Sequence, residues 1–178
     1  MRAVVYDATD TSPDPELKDA WRTGAHIYKA LGRFDRILGA ASWNHALSWL
    51  RGLGKVDEVQ FWGHGSPGRV WCAGQALDVE RLEGVDVRDH FWFRTCASFA
   101  GPGGHQFASD AAAALGCTVA AHTYNIGLWQ SGLVTLSPGE RPHWSVKDGF
   151  DREGRVRWST PWAKRTVTCL ESHIPRGW

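Results

Sequence analysis

Two residues of this chain pair a nucleophile with a base at matching places in the pattern: His64 and Cys96. Each closes an apolar run. Residues 59–62 (VQFW) lead into Gly-His-Gly-Ser-Pro-Gly, and residues 91–93 (FWF) lead through Arg94 and Thr95 to Cys96. A thiolate is a strong nucleophile. A neighbouring imidazole lowers the thiol pKa or relays its proton, and then protonates the leaving group. Acyl transfer also needs donors for the oxyanion. The backbone N–H groups of Gly65 and Cys96 are the candidates, because both stand at strand-to-loop turns. The glycines around His64 are expected to let the backbone turn sharply and leave the imidazole facing a cleft.

The elements that must position this pair alternate. Residues 2–7, 34–39, 57–62, 90–95 and 117–121 read as strands, and a further strand is expected at 131–136. SPDP at 12–15 is a helix start, and Leu17, Trp21, Ile27, Tyr28 and Leu31 mark the helix that Gly32 ends. Ser42 caps a second helix, stopped by Gly54. A glycine-rich turn at 101–104 precedes a third helix, ended by Gly116. Residues 69–77 read as a hairpin turning at Ala73-Gly74. Strands alternating with helices predict a mostly parallel sheet of about five or six strands in an α/β domain, with helices on both faces. In such sheets the reactive ends are the carboxyl ends of the strands, where His64 and Cys96 both fall.

The chain has 178 residues, 43% hydrophobic and 22% charged, with a formal net charge of +1. One domain over 1–178 is expected, with a core at 1–127 and a Trp-rich C-terminal extension at 128–178. The charge balance points to no nucleic-acid or membrane partner, no apolar run approaches the ~20 residues that span a bilayer, and Asp7 and Asp10 interrupt any N-terminal signal. A cytoplasmic setting is the expectation, with Cys72, Cys96, Cys117 and Cys169 as free thiols. No Cys pair has C-x-x-C spacing, so a zinc site drawing on His64, Cys72, Cys96 and His122 has little support, and no cofactor is expected. Neither GHGSPG nor GPGGH carries the Lys and Ser/Thr of a phosphate loop, and Ser66 lacks the glycine that a nucleophile elbow needs. Of eleven tryptophans, Trp21, Trp43, Trp49, Trp62 and Trp92 are read as core. Trp129, Trp144, Trp158, Trp162 and Trp178 fall where some could line a groove or an interface.

A strand ending in His-Gly, then a strand ending in Cys after a short polar dipeptide, resembles the caspase-like cysteine peptidases. That superfamily takes in caspases, metacaspases, gingipains, clostripain, legumain, separase and bacterial CHAT-type domains. The likeness covers roughly residues 1–127 and is nearest to small bacterial members. It is carried by HGSPGRVWCAGQAL and by TCASFAGPGGHQFASDAAAALGCTVAAHT. The resemblance implies a three-layer α/β/α fold, Cys96 as nucleophile, His64 as proton relay and the Gly65 and Cys96 amides at the oxyanion. The substrate would be a peptide or protein. In this family the residue two before the cysteine lines the specificity pocket. Here it is Arg94, which implies a preference for an acidic P1 side chain. The bland alternative has Arg94 held by Asp7 or Asp10 at the end of the first strand. Asp7, His122, Tyr124 and Asn125 also fall near the reactive edge and are candidate substrate-binding residues. Two rival functions remain: an idle caspase-like module that binds a partner, and a cysteine hydrolase or acyltransferase on a small molecule. A regulatory protein partner or a homo-oligomer fits any of the three.

Overall fold

The computed structural model describes residues 1–9 and 15–178. In chain order the elements are β1 (Arg2–Asp7), α1 (Pro15–Ala30), β2 (Arg36–Ala40), α2 (Trp43–Gly52), β3 (Val56–Trp62), β4 (His64–Ser66), β5 (Arg69–Cys72) and β6 (Gln75–Ala76). A 3₁₀ turn (Val79–Leu82) follows, then β7 (Val87–Arg94), α3 (Gly101–Leu115), β8 (Thr118–His122), β9 (Trp129–Gln130), β10 (Leu133–Leu136) and β11 (Val167–Thr168). Six strands form one sheet in the order β10-β8-β7-β3-β1-β2. All neighbours run parallel except β10, which is antiparallel to β8. The expected mixed α/β chain with a mostly parallel sheet is therefore present.

Alternation along the strands divides the core. Val5, Val59, Phe61, Phe91, Phe93, Val119 and Ala121 pack with Ala46, Leu47 and Leu50 of α2 and with Phe107, Ala108 and Ala111 of α3. Val4, Tyr6 and Trp62 pack instead with Ala25 and Tyr28 of α1 and with Phe34. Trp92, Ala120 and Leu133 complete a third cluster with Val167, Ile174 and Trp178. The segment after 127 is thus part of the fold. It supplies the edge strand β10 and covers apolar surface that α1 leaves to it, so the boundary expected at 127 cuts through the sheet.

Three local readings change. The inward stripe of α1 is Ala25 and Tyr28, buried, with Trp21 and Gly24 half-buried, while Leu17, Ile27 and Leu31 are exposed. The small residues decide this: a Cβ on Gly24 would stand 3.2 Å from the Trp62 ring, so the helix lies close there. The glycines at 101–104 open α3 rather than precede it, with Pro102 in its first turn. Gly104 is needed for contact, since a Cβ there would sit 2.2 Å from the Phe99 carbonyl carbon. His64 opens the short strand β4, which pairs with β5 and not with the main sheet. The helix start read at 12–15 falls largely outside the described residues. Ser42 caps α2 as expected, its Oγ accepting from the His45 N–H at 3.1 Å. Trp43, Trp62 and Trp92 are buried, Trp21 and Trp49 half-buried, and Trp144 joins the core.

Candidate active site

β3 and β7 are hydrogen-bonded neighbours with Trp62 level with Arg94. The residues that follow, Gly63-His64 and Thr95-Cys96, therefore leave the same sheet edge side by side. Glycine makes their contact tight. A Cβ on Gly65 would lie 2.5 Å from the Cys96 carbonyl oxygen and 2.7 Å from Thr95 Cβ. Gly68, with φ +75°, donates its N–H to the Ser98 carbonyl at 3.1 Å, and a Cβ there would be 2.8 Å from the Gly103 carbonyl carbon. Sequence reading has the glycines around His64 turn the backbone sharply. In the structure they are contact points that press the β4–β5 hairpin against the cysteine loop.

The cysteine loop is fastened at every step. Ala97 holds φ 50°, a left-handed conformation that costs a non-glycine residue roughly 1–2 kcal/mol. It is retained because its surroundings over-determine it. The Ala97 N–H donates to the Tyr124 carbonyl at 2.9 Å, the Phe99 N–H to the His122 carbonyl at 3.1 Å and the Ala100 N–H to the Ala97 carbonyl at 2.9 Å. Thr95 Oγ1 donates to Ser98 Oγ at 2.9 Å, and Trp144 Nε1 to the Phe99 carbonyl at 2.9 Å.

Cys96 is half-buried. Its Sγ accepts the Ile126 N–H at 3.4 Å and reaches the Ile126 carbonyl at 3.8 Å. Burial pushes this thiol above its ordinary range, and the Ile126 amide offsets part of the rise. Cys72 and Cys117 are pushed further by burial, to about 12 and about 11. His64 is half-buried with its ring edge-on to Trp21 of α1, ring centres 5.2 Å apart.

The other expected site residues divide sharply. Tyr124 and Asn125 are half-buried; the Tyr124 carbonyl accepts the Ala97 N–H of the Cys96 loop, while Asn125 bonds through its backbone to Arg157 and Ser159. Arg94 does not face a cleft. It is 4% exposed, and its guanidinium is spent on oxygen atoms. Nε and Nη2 donate to Gln130 Oε1 at 3.0 and 2.8 Å, and Nη1 donates to Gln60 Oε1 at 3.3 Å. The carbonyls of Thr168, Cys169 and Glu171 take further bonds at 3.3, 3.2 and 2.9 Å. The group also stacks over Trp92, 4.5 Å from the ring centre. Arg94 therefore fastens the C-terminal segment to the sheet, and the expected specificity-pocket role is corrected. Asp7 is not its partner either. That buried carboxylate accepts from Thr9 N–H and Oγ1 at 3.0 and 2.8 Å and from the Ala73 N–H at 3.0 Å, so it braces the hairpin turn and is not presented to substrate. Asp10 lies outside the described residues. His122 is fully buried between the Ser131 carbonyl on Nδ1 (3.1 Å) and Trp92 Nε1 on Nε2 (3.3 Å), and burial pulls its pKa down to about 3. It is a neutral core residue, and its substrate-binding role is corrected.

Sequence reasoning missed Trp21, Ala97 and Ile126. Nothing in their residue types announces a site, since each acts through the backbone or through a packed ring. Among the described residues no group of three or more His, Cys, Asp or Glu could hold a metal ion. A surface depression lined by Arg33, Thr168, Leu170, Glu171, Ser172 and His173 belongs to the C-terminal segment and not to the Cys96 loop. No family model matches the chain, and no curated protein or solved structure is significantly similar to it. No helix among the described residues is long and apolar enough to cross a membrane.

Proposed function

We propose that the chain is a cysteine hydrolase of the caspase-like kind, a three-layer α/β/α peptidase in which Cys96 and His64 form the working pair. One observation carries this reading: the loop bearing His64 and the loop bearing Cys96 are in backbone contact at Gly65, at the carboxyl edge of two adjacent parallel strands. The left-handed turn at Ala97 and the half-buried sulfur support it.

In this reading the pair works by general base. His64 takes the Sγ proton as Sγ attacks the substrate carbonyl, and the carbonyl electrons move onto oxygen. The Gly65 and Cys96 N–H groups receive that oxyanion. Collapse expels the amine, which takes the proton from His64 and leaves a thioester. Water, deprotonated by His64, then releases the acid and returns the thiol. The acidic P1 preference forms no part of this reading, since the donors of Arg94 are taken.

The test compares two electrophiles on wild type and His64→Ala, read by peptide mass spectrometry. Iodoacetamide needs only a thiolate, whereas a peptidyl vinyl sulfone places a substrate-like backbone at the sulfur. Vinyl sulfone labelling confined to Cys96 and slowed roughly 100-fold or more by His64→Ala is the expected result. Equal labelling of Cys96 and Cys169, with no dependence on His64, overturns the proposal and favours an idle binding module.

A further inference from the structure

Residues 152–165 depart from the balance of the chain. They carry Arg152, Arg155, Arg157, Lys164 and Arg165 against one acid, Glu153. Arg155 is spent on Asp151 and Glu153, at 3.0 and 2.5 Å. Arg165 meets His143. Arg152, Arg157 and Lys164 are exposed and meet no carboxylate among the described residues. Between these cations stand Trp158 and Trp162, 69% and 84% exposed. Leu128 and Trp129 are exposed on the neighbouring ribbon.

This surface is stitched to the wall of the thiol site. The Asn125 N–H donates to the Arg157 carbonyl at 2.9 Å, and the Ser159 N–H to the Asn125 carbonyl at 2.8 Å. Gly132 and Leu133 N–H groups donate to the Lys164 and Arg165 carbonyls at 2.9 and 3.1 Å, and the Ser131 N–H to Ser159 Oγ at 2.8 Å. Ile126, next along the chain from Asn125, is the residue whose amide touches Cys96 Sγ.

We propose that this face docks an acidic polypeptide segment bearing aromatic or other large apolar side chains. The unpaired cations supply complementary charge and steering, and the two indoles supply anchors of the kind that dominate interface energies. A polypeptide fits better than a bilayer, because Ser159 and Thr160 and the charges interrupt the apolar surface that interfacial insertion requires. The docking claim stands whatever Cys96 does. That the face presents substrate to the thiol rests on the reading above.

The experiment uses full-length Cys96→Ala protein, so thiol chemistry plays no part in the outcome. The probe is a fluorescein-labelled random Glu/Tyr copolymer, read by fluorescence anisotropy. Polyglutamate, phosphatidylcholine–phosphatidylglycerol vesicles and a single-stranded oligonucleotide are run beside it. The copolymer is expected to bind more tightly than polyglutamate, and less tightly as salt rises. Binding should weaken by about tenfold or more in Trp158→Ala/Trp162→Ala and in Arg157→Glu/Lys164→Glu. Trp162→Ala alone, at a side chain almost free of packing, keeps the test sound if the double variants fold poorly. No binding, binding indifferent to all three variants, or tighter capture of vesicles or oligonucleotide overturns the proposal.

Discussion

Arg94 and Cys96 stand two residues apart and have opposite fates. Arg94, still inside β7, points into a face closed by the C-terminal segment, and Gln60, Gln130 and three main-chain carbonyls occupy its donors. Cys96 is past the strand end, half-buried, beside a left-handed Ala97, and its sulfur meets only the N–H and carbonyl of Ile126 among the described residues. The first cluster is polar chemistry spent on structure. The second holds a half-buried sulfur with two long, weak contacts to one residue, in a strained frame. Residue type does not separate the two; the number of partners already bound does.

The largest effect that sharpens this contrast is Arg94→Ala. Deleting a buried cation strands its acceptors and loosens the C-terminal segment, so a loss of roughly 3 kcal/mol or more is expected in urea unfolding. A stable Arg94→Ala protein with altered P1 preference would erase the contrast. Acid titration comes next. His122 has its folded pKa near 3, below the unfolded 6.5, so the unfolded chain binds the proton first. Its contribution is complete above pH 6.5 and is lost as pH falls from 6.5 towards 3, about 2–3 kcal/mol by pH 4.5. Glu58, held near 2 despite its burial by the His90 imidazole 3.5 Å away and by bonds from Arg2 and Gln60, contributes above pH 4.5 and is lost between 4.5 and 2. Stability curves of wild type and His122→Gln should therefore diverge in slope between pH 6.5 and 4.5; parallel curves would refute the neutral core histidine.

Gly65→Ala probes the other cluster. Its Cβ must displace the Cys96 carbonyl, at a cost of about 1–3 kcal/mol, with vinyl sulfone labelling slowed roughly tenfold or more. Unchanged labelling would show that the loop contact does not set the chemistry. The smallest effect is expected from Ala97→Gly. Relief of the left-handed strain is offset by added backbone entropy and by loss of the fully buried methyl, so a net change within about 1 kcal/mol of zero is expected in urea unfolding. A loss above about 2 kcal/mol, more than the methyl and the entropy account for, would mean that φ 50° costs nothing here.

The strands, the helices and the placing of His64 and Cys96 just past the ends of two strands were legible because apolar runs, caps and terminal glycines are local signals. Ser42 and Gly116 act as caps where residue type placed them. The α1 stripe was misread because close packing onto Trp62 selects Gly24 and Ala25, which an apolar count passes over.

By itself, then, the sequence determined the alternation of strands and helices and the placing of a thiol and an imidazole at strand ends. Local propensity and periodicity suffice for that. Tertiary structure alone decided that Arg94 and His122 are buried props, that Ile126 holds the sulfur, and that Trp158 and Trp162 remain in water. Those outcomes depend on residues 124–172 folding back over the sheet, and no local pattern encodes which side chains such a long-range contact will saturate.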